Sequence, residues 1–184
     1  LEKEAKKFKG QEVFLSFTCD PYPLDDSQLM ARQAIKILHA AGVKVRILTK
    51  GGYRSERDFD LLAARPDLSS YGATLTFIDG IKSAEWEPGA APPLERMEAI
   101  VHAHELGIET WGSFEPVINT EETLHLIEVM APYLDMFKVG MLNHDKTGTA
   151  KCIDWKKFGR EAVDLLESLG KQYYIKKDLA LHIN

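Results

Sequence analysis

The stretch Val13 to Pro23, VFLSFTCDPYP, runs an apolar segment into a hydroxyl, a thiol, a carboxylate and two prolines. Val13, Phe14 and Leu15 read as a buried strand. Pro21 and Pro23 end it, because proline has no amide to give to a ladder. A strand that stops on Thr18, Cys19 and Asp20 is either turning in a stiffened loop or delivering polar groups to a pocket.

The same grammar recurs along the chain. Strands are expected at 13–18, 44–49, 73–78, 109–114, 136–141 and 172–175, separated by segments of helical period. In the first of these, 27–41, Met30, Ala34, Ile37, Leu38 and Ala41 share a face before Gly42 stops it. The next, 55–65, is expected to start on a cap at Ser55. Pro92 and Pro93 suit the first turn of a third helix. Leu106-Gly107 and Leu169-Gly170 mark the same kind of stop after the third and fifth helices. The segment 79–91 reads as the longest irregular piece. Alternating strand and helix predicts a parallel sheet of βα repeats, curved or closed as a barrel, with its chemistry at the carboxyl ends of the strands. The 184 residues are expected to form one domain.

Composition narrows the function. Hydrophobic residues make up 45% and charged residues 28%, ordinary for a soluble globular chain. No apolar run reaches the roughly 18 residues of a membrane span, so no membrane partner is expected. The net charge of −5 argues against wholesale coating of nucleic acid but leaves room for a local basic face. Lys3, Lys6, Lys7 and Lys9 read as a solvated helix face. Two widely separated cysteines, Cys19 and Cys152, make neither a disulfide framework nor a metal-ligand spacing, and a reducing cytoplasm is the expected compartment.

The strand ends gather Thr18, Cys19, Asp20, Thr49, Lys50, Thr76, Asp79, Ser113, Glu115, Asn143, His144, Asp145, Lys176, Lys177 and Asp178. Lys50 stands out, since a lysine directly after a buried strand must reach water or meet an anion. Glu115 sits between Phe114 and Pro116, with little local water. Three kinds of chemistry remain open on residues alone. Asp20, Glu115, His144 and Asp145 suggest a metal-dependent hydrolase, without the usual histidine spacings. Lys50 or Lys138 suggests a Schiff-base aldolase. A non-catalytic nucleotide-binding module would use the same face. No Gly-x-Gly-x-x-Gly follows the first strand, and no Gly-x-Ser-x-Gly elbow is present.

Taken in order, LSFTCDPYP, VRILTKGG with ERDFDLL, ATLTFID, EWEPGAAPPLERMEAI, ELGIETWGSFEPVI and FKVGMLN resemble radical S-adenosylmethionine (SAM) proteins. The similar branch is the spore photoproduct lyase and DNA-repair-photolyase-like group. The resemblance implies a partial TIM-type barrel and a SAM site made by Thr18, Cys19, Asp20, Lys50, Thr76 and Glu115. Lys50 would meet the SAM carboxylate and Glu115 the ribose and adenine, while Arg96 is expected to be structural. It also implies a 4Fe-4S cluster in the intact parent, lyase chemistry, and nucleic acid among the substrates. The family's Cys-x-x-x-Cys-x-x-Cys loop does not occur here. The chain is therefore expected to lack the first βα unit or to have lost the cluster, and to be inactive by itself. An exposed sheet edge, with oligomerisation through it, would follow. Phe17 stands where the spore enzyme carries its hydrogen-donor cysteine, so the hydrogen donor is open.

Overall fold

The computed structural model describes residues 1–16, 18–25 and 29–183. Six parallel strands form one sheet in chain order: β1 (Glu12–Leu15), β2 (Lys44–Thr49), β3 (Ser69–Thr74), β4 (Glu109–Phe114), β5 (Met136–Val139) and β6 (Gln172–Ile175). Helices α1 (Glu2–Ala5), α2 (Met30–Ala40), α3 (Phe59–Ala63), α4 (Gly80–Trp86), α5 (Pro93–Glu105), α6 (Thr120–Met130), α7 (Trp155–Ser168) and α8 (Lys177–Ile183) surround it. β1 and β6 are the two edges, so the sheet is open rather than closed. Among the described residues no helix is long and apolar enough to cross a membrane.

The sheet has two unlike faces, set by the two-residue period of a strand. β2 shows it most plainly: Val45, Ile47 and Thr49 are buried while Lys44, Arg46 and Leu48 are half-buried. In-register pairing carries that alternation across the sheet, aligning Val45 with Val13 and Arg46 with Phe14 and Ser70. The outward set, including Ile47, Tyr71, Ala73, Phe114, Phe137 and Val139, shares one apolar cluster with the helices. There it meets Ile35 and Leu38 of α2, Leu62 of α3, Ile100 and Ala103 of α5, Ile127 of α6 and Phe158 and Leu166 of α7. Burying each large side chain in this layer contributes about 1.5–3 kcal/mol.

The inward face is polar and aromatic. Trp111 is 1% exposed yet stands outside the helix-side cluster. It lies flat on Gly72 of the neighbouring strand, where a Cβ would come within 2.5–2.6 Å of the indole ring.

The expected strands at 44–49, 109–114 and 172–175 match the structure, and both Leu-Gly stops fall on left-handed glycines, Gly107 at φ 75° and Gly170 at φ 63°. Other expectations need correction. The first strand ends at Leu15 and the fifth at Val139. The third begins at Ser69, ahead of the expected 73, because Ser69, Ser70 and Gly72 are fully enclosed without being apolar. Segment 55–65 opens as a 3-10 helix, Gly52–Asp58, and Ser55 is not a cap: its hydroxyl donates to the Gly52 carbonyl and bonds the Tyr71 hydroxyl at 2.7 Å. Segment 79–91 is not wholly irregular, since Asp79 caps α4 by accepting from the amides of Ile81 and Lys82. The start expected for the first long helix, at Ser27, lies outside the described residues.

Gly72→Val is expected to lower stability by about 1–3 kcal/mol through overpacking against Trp111. Urea unfolding followed by far-ultraviolet circular dichroism measures the loss.

Candidate functional site

At the carboxyl edge, alternation turns Lys50 inward after the outward Thr49. Asp20 fixes this corner. Its Oδ1 accepts from the Tyr22 amide at 2.8 Å and the Thr49 hydroxyl at 2.6 Å, and its Oδ2 accepts from the Lys50 amide at 2.6 Å. One carboxylate thus ties the loop after β1 to the end of β2. Gly51 is required beside it, since a Cβ there would come within 2.9 Å of both Thr49 and Tyr22.

The Lys50 ammonium lies 3.2 Å from Glu87 Oε1, and the same oxygen accepts from the Thr76 hydroxyl at 3.2 Å. Oε2 of Glu87 accepts from Arg96 Nη1 at 2.6 Å and from Ser83 Oγ at 3.3 Å. Arg96 also donates to the carbonyls of Ala91 and Thr74 and to Ser83 Oγ. The side chains of Glu87 and Arg96 are 6% and 1% exposed, whereas Lys50 retains 36%. A buried guanidinium and a buried carboxylate therefore form a fixed post, and Lys50 leans on it from the open side. Arg96 is structural, as its helical position suggested.

Two cavities lie at this corner, one of them against the post. One, of about 320 Å³, is lined by Asp20, Tyr22, Lys50, Arg54, Glu87 and Gly89. The other, of about 430 Å³, is lined by Leu15, Ser16, Cys19, Asp20, Pro21 and Met30, among others. Asp20 belongs to both.

The structure brings Asp20, Lys50 and Thr76 together at one corner, with Cys19 beside them. Cys19 is exposed, and Ser16 Oγ donates to its carbonyl at 2.7 Å and lies 3.4 Å from its sulfur. Thr18 is exposed. Glu115 has a different partner: its carboxylate forms an ion pair with Lys176, at the end of β6. The two side chains meet across Gly140, where a Cβ would come within 2.7 Å of the carboxylate. Burial pushes the Lys176 pKa down. Glu87 was missed by sequence reasoning. Its signal was the WEPG turn followed by PPLER, a carboxylate beside a proline and an arginine one helical turn inside the next helix.

The chain supports some cofactors better than others. Lys50 and Thr76 converge on a carboxylate, the donor set that the amino-acid end of SAM requires. Cys19 and Cys152 cannot provide three thiolates to one iron-sulfur cluster. Asp20 and Glu115 hold separate partners, and Asp145 closes its own turn with Thr147 and Ala150. Among the described residues no three of His, Cys, Asp or Glu are grouped to hold a metal ion.

Comparison with known proteins places the fold. No family model matches the chain. Uncharacterized protein ORF301 of Acidianus two-tailed virus is 26% identical over 179 residues, covering 91% of this chain and 58% of that protein. The chain thus spans a little over half of that relative. Streptococcus suis SuiB bound to S-adenosylmethionine superposes with a TM-score of 0.72 at 12% identity, over 99% of this chain and 45% of SuiB. A domain of pyruvate-formate lyase-activating enzyme from Bacteroides vulgatus gives 0.66 at 13% identity, over 89% of this chain and 98% of that domain. The six-stranded sheet has the partial-barrel fold of these radical SAM enzymes.

Removing the Glu87 carboxylate strands Arg96 in the interior. Glu87→Ala is expected to cost about 3–5 kcal/mol, and Lys50→Met far less because Lys50 still reaches water. Thermal unfolding of both variants by calorimetry tests the difference.

Proposed function

We propose that the chain is the SAM-binding core of a radical SAM enzyme of the spore photoproduct lyase and DNA-repair-photolyase-like kind. The observation that carries this reading is the convergence of Lys50 and Thr76 on one carboxylate at the carboxyl edge of a radical-SAM-type sheet. SAM, when reduced beside an iron-sulfur cluster, supplies hydrogen-abstraction chemistry.

The chain's own residues bind and orient. Lys50 has three N–H donors, and Glu87 engages one side of its ammonium. Lys50 also lines the 320 Å³ cavity, where a ligand carboxylate would gain a charge-assisted bond. Asp20 holds the Lys50 backbone through its amide, which keeps the ammonium from drifting. Thr76 donates its hydroxyl to Glu87 and so holds the carboxylate against which Lys50 rests. Cys19 and Ser16 line the adjoining cavity. Glu115 becomes available to ribose hydroxyls as its pair with Lys176 opens. The cluster ligands are not among the described residues, so binding without turnover is the activity proposed for this chain, with nucleic acid the substrate class that the family resemblance implies.

Calorimetric titration with SAM tests the reading. Saturable binding is expected, weakened roughly 10- to 100-fold in Lys50→Met, the equivalent of one charged hydrogen bond of about 1.5–3 kcal/mol. Absence of binding, or equal binding by the variant, would reject it.

A further inference from the structure

The whole chain carries a net charge of −5, yet the inward face of its sheet is basic. Strand alternation and register bring Lys44, Arg46, Lys50, Lys138 and Lys176 to that face, against Glu12, Glu109 and Glu115. Most of these charges are matched. Lys44 and Arg46 share Glu12 and Glu109, with Arg46 at 3.2 and 3.3 Å from them. Lys176 has Glu115 and Lys50 has Glu87. Lys138 differs: among the described residues it has no carboxylate within 4.0 Å.

What Lys138 has instead is an indole. Its ammonium lies 4.1 Å from the centre of the Trp111 ring, and the Arg46 guanidinium lies 5.5 Å from the same centre. The ring is locked against Gly72, so it cannot turn away. A cation–π contact offsets only part of the desolvation of an ammonium, and a second cation on the same ring works against it. Burial, with the neighbouring Arg46 charge, lowers the Lys138 pKa against a smaller opposing pull from Glu12. In the register, Ser113 of β4 and Tyr174 of β6 flank Lys138, one buried and one 53% exposed. The result is a half-buried ammonium on an aromatic floor, with no carboxylate within 4.0 Å among the described residues.

We propose that Lys138, presented by Trp111, forms a subsite for an oxyanion, the carboxylate or phosphate group of the substrate. It rests on the enzyme reading above for the word substrate, but not for the binding itself. The subsite is separate from the SAM carboxylate corner, which belongs to Lys50.

Lysine acylation footprinting of the whole chain by mass spectrometry, with inorganic phosphate, acetate or chloride at equal ionic strength, tests it. Modification of Lys138 is expected to slow at least threefold in phosphate, in acetate or in both, while exposed Lys156 is unaffected. Protection by phosphate alone assigns a phosphate group, and protection by acetate alone a carboxylate. Equal rates in all three salts would overturn the proposal. The same anions are expected to raise the melting temperature of the wild type and of Lys50→Met, but not of Lys138→Met. An anion response that disappears in Lys50→Met and persists in Lys138→Met would also overturn it. Failure of SAM binding leaves this result standing, so the two readings fail separately.

Discussion

One carboxylate organises the carboxyl end of the sheet. Glu87 gathers a cation from the end of β2, a hydroxyl from just beyond β3, a hydroxyl from α4 and a guanidinium from α5. Such a group is tolerated in the interior only because every lone pair direction is answered. Arg96 reaches on to the Thr74 and Ala91 carbonyls. The segment after β3 is thus pinned to the sheet by polar contacts, leaving the open cavities on its solvent side.

The rest of the design follows from giving the two faces of the sheet different work. The outward face is ordinary: branched and aromatic side chains against amphipathic helices, close-packed and dry. The inward face would be filled by Val, Ile and Leu layers in a closed barrel. Here it carries arginine, lysine, glutamate and one tryptophan, with glycine making room for the ring. Hydrophobic burial on one side supplies the stability that lets the other side remain charged.

Much of the fold was legible, and for a physical reason. β2, β4 and β6 alternate or sit between clear stops, and the Leu-Gly endings announce a left-handed residue that only glycine accepts readily. β3 was displaced because Ser69, Ser70 and Gly72 carry no apolar signal. Gly72 is covered by Trp111 from another strand, and Ser69 bonds the Arg65 carbonyl and the His39 ring, neighbours that a one-dimensional pattern does not contain. α4 was missed because seven residues are too few to show a period. At the site, Lys50 was recognisable since an ammonium after a buried strand demands an anion. That the chain provides Glu87 itself was not, because the partner lies in a loop whose path the sequence does not specify. Asp20 was expected among the strand-end polar groups, and it lies at this corner. Its bonds to backbone at the end of β2 were invisible for the same reason.

Gly140 deserves its place for mechanical reasons. By leaving the chain without a side chain just after β5, it lets Glu115 and Lys176 pair across it. Lys176 is followed immediately by α8, whose Leu179 is sunk in the core beside α7. The ion pair therefore moors the start of α8 to the end of β4, so one electrostatic contact joins the edge of the sheet to the helix that follows it.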